Sequence, residues 1–138
     1  MEVFEDQRGK IIDLGNGYQI IESVAGSVRA RHYHKKSGHD CILTRGALEY
    51  YEKDVGSNQR PSKQIIRAPA VFSTTNKVMH EMVFIEPSEF ICVRTGGSMT
   101  PEEYEQDLVR FKHSLKEEYE KQDRQTKPVP PTVWPEQA

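Results

Sequence analysis

Three of the chain's five histidines, His32, His34 and His39, fall within eight residues. Imidazole binds borderline metals and titrates near neutral pH, so such a cluster points to metal ligation or to proton transfer. His32 and His34 are two residues apart. On a strand that spacing puts both side chains on one face, with Cα atoms roughly 6.5–7 Å apart. Two imidazoles side by side then reach one ion at about 2.0–2.2 Å from each nitrogen. A helix would turn them to different faces, so the metal reading requires a strand. Regular alternation gives Val28 and Ala30 the face of the histidines and turns Arg29, Arg31 and Tyr33 away, unless a bulge intervenes. A fourth histidine, His80, opens the run His80 to Ile85. His113 falls on the polar side of a C-terminal helical pattern and takes no role.

The elements that must position these side chains read as β-structure. From residue 10 to residue 94, short apolar runs alternate with turn signals every eight to twelve residues. Gly15-Asn16-Gly17 is a turn of residues that tolerate positive φ. Arg45-Gly46 is a second turn, and residues 54–61 form a polar loop. Many short strands of this kind predict an all-β sandwich or barrel. After Gly96-Gly97 the pattern changes. Thr100 is a helix N-cap, Pro101 takes the first helical position and Glu103 completes a capping box. Tyr104, Leu108, Phe111, Leu115 and Tyr119 then recur at helical spacing, which predicts one C-terminal helix within residues 98–125. Its apolar stripe is expected to pack on the sheet or on a second subunit. Residues 126–138 are proline-rich and extended. The division is therefore a barrel over 1–97, a helix over 98–125 and a tail over 126–138.

Composition narrows the function classes. A chain of 138 residues is the size of one domain. The 19 basic and 21 acidic residues leave a net charge of −2, too balanced for generic nucleic-acid binding. No run of 18 apolar residues is present, so no membrane span is expected. The acidic N-terminus lacks the apolar stretch of a secretory signal. Cys41 and Cys92 sit inside separate apolar runs and read as buried free thiols, consistent with a reducing cytoplasm.

The spacing around the histidine pair resembles the first motif of the cupin superfamily. Gly26, His32, His34, His39 and Gly46 stand where that motif has Gly, His, His, Glu and Gly. The departure is His39, which replaces the usual carboxylate. His80 is similar to the histidine that the second cupin motif adds from a later strand. The resemblance covers about residues 8 to 94. It implies an RmlC-like cupin, a double-stranded β-helix or jelly-roll barrel, here with one C-terminal α-helix. It also implies a metal site of His32, His34, His39 and His80. With histidine for carboxylate, the site would favour a borderline ion, and zinc, iron, nickel or manganese are the expected divalent transition metals.

Within cupins, the text is most similar to sugar-nucleotide epimerases and ketoisomerases. Arg8-Gly9-Lys10-Ile11 looks like their opening strand, and Val28-Arg29-Ala30-Arg31-His32-Tyr33-His34 looks like their histidine strand, with Ala30 replacing a glycine. Metal-binding cupin domains of capsular-sugar enzymes share the His-Tyr-His triplet. The resemblance implies an isomerase or epimerase that moves a proton beside a sugar carbonyl, which needs a base, an acid and something to hold the enolate charge. In the metal-free branch, the histidine matching His32 is the base. An imidazole bound to metal has no lone pair left for that task. With four histidines on one ion the base falls to Glu49, Tyr51 or Glu81, or to water on the metal. Arg29 and Arg31 are expected to clamp a substrate phosphate. A small-molecule substrate, no nucleic-acid or membrane partner and a homodimer are expected. An iron or nickel dioxygenase and a non-catalytic ligand-binding module are the other readings.

Overall fold

The computed structural model describes residues 1–126. Ten strands run in order: β1 (Glu2–Asp6), β2 (Gly9–Gly15), β3 (Tyr18–Ser23), β4 (Val28–His34), β5 (Gly38–Arg45), β6 (Ala47–Asp54), β7 (Ser62–Arg67), β8 (Ala70–Thr74), β9 (Val78–Phe84) and β10 (Ser88–Thr95). Helix α1 (Pro101–Asp107), strand β11 (Leu108–Arg110) and helix α2 (Leu115–Thr126) follow. The strands form two antiparallel sheets. One has six strands in the order β1-β2-β3-β10-β5-β8, and the other has five in the order β11-β4-β9-β6-β7. This is the jelly-roll barrel expected from the alternating runs.

The barrel is held by the residues of each strand that face inward. Ile21, Cys41, Leu43 and Phe90 come from the six-stranded sheet, and Leu48, Tyr50 and Phe84 from the five-stranded one; all are buried in one cluster. Phe84 and Phe90 stack with centroids 5.8 Å apart. The two motif glycines answer different needs. Gly46 has φ +94°, and a Cβ there would lie 2.1 Å from Ser88 Oγ. Gly26 has φ +83° but open space around it, so only its backbone conformation demands glycine.

The C-terminal region corrects the single-helix expectation. The capping box at Thr100 and Glu103 is present, but α1 ends at Asp107. Leu108, Val109 and Arg110 instead pair with His34, Tyr33 and His32 on the open edge of β4. An unpaired edge offers a full ladder of backbone hydrogen bonds, and this outweighs three residues of helix. The apolar stripe is therefore split among three elements. Tyr104 enters the barrel mouth, Leu115 is fully buried, and Tyr119 of α2 packs on Tyr51 with centroids 5.7 Å apart. Among the described residues the stripe does not form one continuous helical face. The proline-rich segment from residue 127 lies outside the described residues. No helix among the described residues is long and apolar enough to cross a membrane.

Candidate metal centre

His32 on β4 and His80 on β9 are direct cross-strand partners, so both point into the barrel. Their ring centroids are 4.6 Å apart, and His34 lies 4.9 Å from His32 and 5.6 Å from His80. One ring nitrogen from each of the three falls within 4.8 Å of the others, a spacing that one ion can bridge.

The second nitrogens decide which atoms are free to ligate. Ser37 Oγ donates to Asp107 Oδ2 at 2.6 Å, so Ser37 receives the proton of His34 Nδ1 at 3.3 Å. Asp107 Oδ2 itself lies 3.7 Å from that nitrogen. His34 Nε2 is then an unprotonated nitrogen, fully buried and without a hydrogen-bond partner. His80 Nδ1 lies 3.2 Å from the carbonyl of Val78. A carbonyl only accepts, so Nδ1 carries the proton and Nε2 is bare. A carboxylate or carbonyl fixing one nitrogen while the other stays bare is the arrangement that metal-binding histidines use. The residues present therefore fit a transition ion.

Electrostatics agree with neutral imidazoles. Burial pushes His32 down to about 2, assisted by His80, His34, His39 and Arg110. Burial also lowers His80 to about 4 and brings His34 down, with Asp107 pulling the latter partly back.

His39 sits beside this trio but is otherwise engaged. Its ring is 4.6 Å from His34. Its Nδ1 lies 3.2 Å from Cys92 Sγ and its Nε2 3.2 Å from the Tyr104 hydroxyl. The expected four-nitrogen set is therefore three converging nitrogens plus a neighbour with both of its own occupied. Burial, then the nearby imidazoles, lowers His39 to about 3. Burial raises the Tyr104 phenol.

A bulge decides which arginine faces inward. Ala30 and Arg31 together oppose Glu81, with φ of +75° and +60°. The extra residue shifts the alternation, so Arg29 and His32 share the interior although they are three apart. Arg29 is 6% exposed and lines the cavity. It donates to Ser23 Oγ and to the Glu22 carbonyl, both neutral. Arg31 turns outward instead and donates to Glu81 Oε1 at 3.0 Å, so it does not contact the cavity as expected.

The carboxylate and phenol expected to act as base also lie elsewhere. Tyr51 is the register partner of Glu81, on the face opposite His80. Its hydroxyl donates to Glu49 at 2.7 Å, and Lys116 of α2 covers Glu49 at 3.0 Å. Glu49 and Tyr51 thus lie under α2, outside the barrel. Glu81, fully buried, caps α2 through Ser114 Oγ at 3.0 Å and the Leu115 N–H at 2.9 Å.

His32, His80 and His39 open on a cavity of about 310 Å3 between the sheets, with His34 buried behind them. Arg8, Arg29 and Arg110 line it, together with His39, Tyr104 and both cysteines, and no carboxylate among the described residues does. Cys41 and Cys92 are free and buried, as expected, with sulfurs 3.5 Å apart. The sequence reading missed Ser37, Asp107, Tyr104, Arg8 and Arg110 as cavity or support residues. Each reaches the site through a fold-level pairing that leaves no local spacing signal.

No protein-family model matches the chain, and no curated protein matches it in sequence. Solved structures do match in shape. The capsular polysaccharide assembling protein CapF from Staphylococcus aureus superposes with a TM-score of 0.67 at 12% identity, over 81% of this chain and 32% of that one. This chain thus spans about a third of the CapF chain. The dTDP-4-dehydrorhamnose 3,5-epimerase from Sulfolobus tokodaii gives 0.58 at 18% identity, over 82% and 74%. The QdtA 3,4-ketoisomerase from Thermoanaerobacterium thermosaccharolyticum, in complex with TDP, gives 0.54 at 17%, over 91% and 92%. Two antiparallel sheets, a shared barrel shape and histidines converging between the sheets establish that this chain has the fold of the RmlC-like cupins.

Proposed function

We propose that the chain is a metal-binding cupin that moves a proton on a small anionic compound derived from a carbohydrate, as an isomerase or epimerase. The observation that carries this reading is His34 Nε2, buried and without a partner, while its Nδ1 is engaged by Ser37 beside Asp107. A buried polar atom left unsatisfied is costly unless a ligand completes it. A divalent transition ion held by His32, His34 and His80 would polarise a substrate carbonyl and hold the charge that develops on its oxygen.

The rest of the chemistry falls to the chain's own side chains. Arg8, Arg29 and Arg110 line a cavity that no carboxylate among the described residues lines, and although Asp6 pairs Arg8 at 2.7 Å and Glu105 pairs Arg110 at 2.8 Å, Arg29 carries no carboxylate hydrogen bond, which suits a phosphate or carboxylate substituent. Arg29 has only neutral partners and stays poised for an anion. Tyr104 Oη and His39 Nε2 share a hydrogen bond at the cavity wall, where they hold a proton within reach of a bound substrate. This pairing removes the competition between ligand and base, because the three metal-facing histidines are not needed for proton transfer. The likeness in fold to an epimerase and a ketoisomerase supports the reaction class.

The test combines elemental analysis of untagged protein with exchange from deuterated water. One equivalent of a transition ion, lost in His34→Ala, is expected. Deuterium should enter a nucleotide-linked keto-sugar at the carbon beside its carbonyl. Metal-loaded protein that exchanges no carbon-bound proton in any such sugar overturns the isomerase reading. Ferrous-dependent oxygen uptake would replace it with the dioxygenase reading.

A further inference from the structure

Two nucleophilic side chains on the cavity wall take no part in the chemistry above. Cys41 of β5 and Cys92 of β10 are direct register partners on neighbouring antiparallel strands. Direct partners point to the same side of a sheet, so both thiols face the barrel interior. They are free, their sulfurs are 3.5 Å apart, and both line the cavity beside the histidines. Cα atoms of such partners lie about 4.5–5.5 Å apart, inside the span of about 4.4–6.8 Å that a disulfide bridges. The sulfurs need to close by about 1.5 Å, which rotation about the two Cα–Cβ bonds supplies without moving a strand. The surroundings give the two sulfurs different parts. Cys92 is 6% exposed and its Sγ lies 3.2 Å from Nδ1 of His39. Cys41 is 1% exposed and has Cys92 Sγ as its neighbour.

We propose that Cys41 and Cys92 are an oxidisable dithiol, that hydrogen peroxide entering the cavity is its oxidant, and that its oxidation fixes the proton of His39. In the first step Cys92 Sγ attacks one peroxide oxygen. The O–O bond breaks, the thiol proton passes by way of His39 Nδ1 to the departing oxygen, and water leaves a sulfenic acid on Cys92. Cys41 Sγ then attacks that sulfur. The S–O bond breaks, and the hydroxyl takes the Cys41 proton and leaves as a second water. Two electrons have passed from the sulfurs to the peroxide. The contact with Cys41, then burial, holds the Cys92 thiol protonated at neutral pH, so the first step depends on the imidazole as proton carrier.

Oxidation changes what His39 can do. A thiol gives or accepts a hydrogen bond, but a disulfide sulfur only accepts. With the bond closed, His39 Nδ1 is satisfied when it carries the proton toward Cys92, and Nε2 is left to accept from the Tyr104 hydroxyl at 3.2 Å. The bridge therefore sets the tautomer of the histidine–tyrosine pair. The link to turnover rests on the function proposed above; the bond itself does not.

Intact-mass spectrometry of the full chain tests this. Reduced protein is exposed to hydrogen peroxide with a chelator present, then unfolded and alkylated with N-ethylmaleimide. The expected product has lost two hydrogens, takes up no maleimide and is restored by dithiothreitol. Cys41→Ser should stop at a dimedone-reactive sulfenic acid on Cys92. Cys92→Ser should react at least about 10-fold more slowly, for want of the imidazole contact. In nitrogen-15-labelled protein the His39 ring should shift to the Nδ1-protonated form on oxidation, with unchanged far-ultraviolet circular dichroism. Two alkylated thiols after peroxide overturn the dithiol, as does oxygen added to sulfur with no bridge formed. A bridge that forms with no change at the His39 ring overturns its control of the tautomer. A bridge and a tautomer shift in protein that exchanges no carbon-bound proton of any sugar support the dithiol and count against the isomerase reading alone.

Discussion

Asp107, the last residue of α1, places a carboxylate oxygen 3.7 Å from Nδ1 of His34, and Ser37 bridges the two. The same carboxylate accepts from the backbone N–H of Lys36 at 2.7 Å. It is held below the usual carboxylate range by Ser37 and by the Lys36 and Ser37 amides, against an opposing push from burial. Asp107 therefore fixes both the tautomer and the tilt of His34. Asp107→Ala should lower metal affinity about 10- to 100-fold, measured by competition with a chromophoric chelator. Unchanged affinity would show that Ser37 alone orients the ring.

The depressed histidines make the metal-free protein sensitive to acid. Above pH 6.5 the imidazoles are neutral in both folded and unfolded chains, so stability is flat. Below it the unfolded chain takes up protons that the folded chain refuses, because His80, His39 and His32 accept them only near about 4, 3 and 2. Each refused proton costs about 1.4 kcal/mol per pH unit. The three together predict a loss of about 4 kcal/mol per unit between pH 6 and 4. Urea unfolding in the presence of a chelator measures the slope, and His32→Asn should flatten it by about a third.

Glu81 ties three elements together from a fully buried position. It receives Arg31 at 3.0 Å, the Ser114 hydroxyl and the first amide of α2. Glu81→Ala strips the helix of its cap and leaves buried donors unpaired, so it should cost about 3 kcal/mol or more. Arg31→Ala should cost about 1 kcal/mol, since the guanidinium is 38% exposed and water replaces its partner. Denaturant midpoints of the two variants should separate clearly, and equal losses would contradict this ranking.

Glu49 and Tyr51 provide the negative control for the site. They face α2, away from the histidines, and bond to each other. Glu49→Gln and Tyr51→Phe should leave turnover within about a factor of two. Tyr104→Phe removes the hydroxyl beside His39 and should lower kcat by about 100-fold with metal content unchanged. The opposite order of effects would place the reaction on the outer face.

The sequence made the barrel legible because inward and outward residues alternate with period two through the strands. His32 and His34 were legible from their two-residue spacing on a strand, once the glycines at 26 and 46 set the frame, and His80 from its likeness to the second cupin motif. What parity did not show is the bulge at Ala30 and Arg31, where one extra residue brings Arg29 into the cavity and leaves Arg31 outside. Two positive φ values at non-glycine residues leave no signature in the text. The split of the C-terminal stripe was hidden too. Leu108 to Arg110 fit a helix locally and become strand only because the edge of β4 is open beside them. Asp107, Ser37 and Tyr104 were invisible because their partners lie on other elements.

Strand β9 presents adjacent residues to the two sides of one sheet. His80 is one of the three histidines that converge inside the barrel, and Glu81 holds the first turn of α2. The strand thus acts as a stiff wall with an occupant on each side. Filling the interior damps the wall, and the helix amides outside should feel that as slower exchange with solvent, a remote gauge of occupancy that requires no label near the cavity.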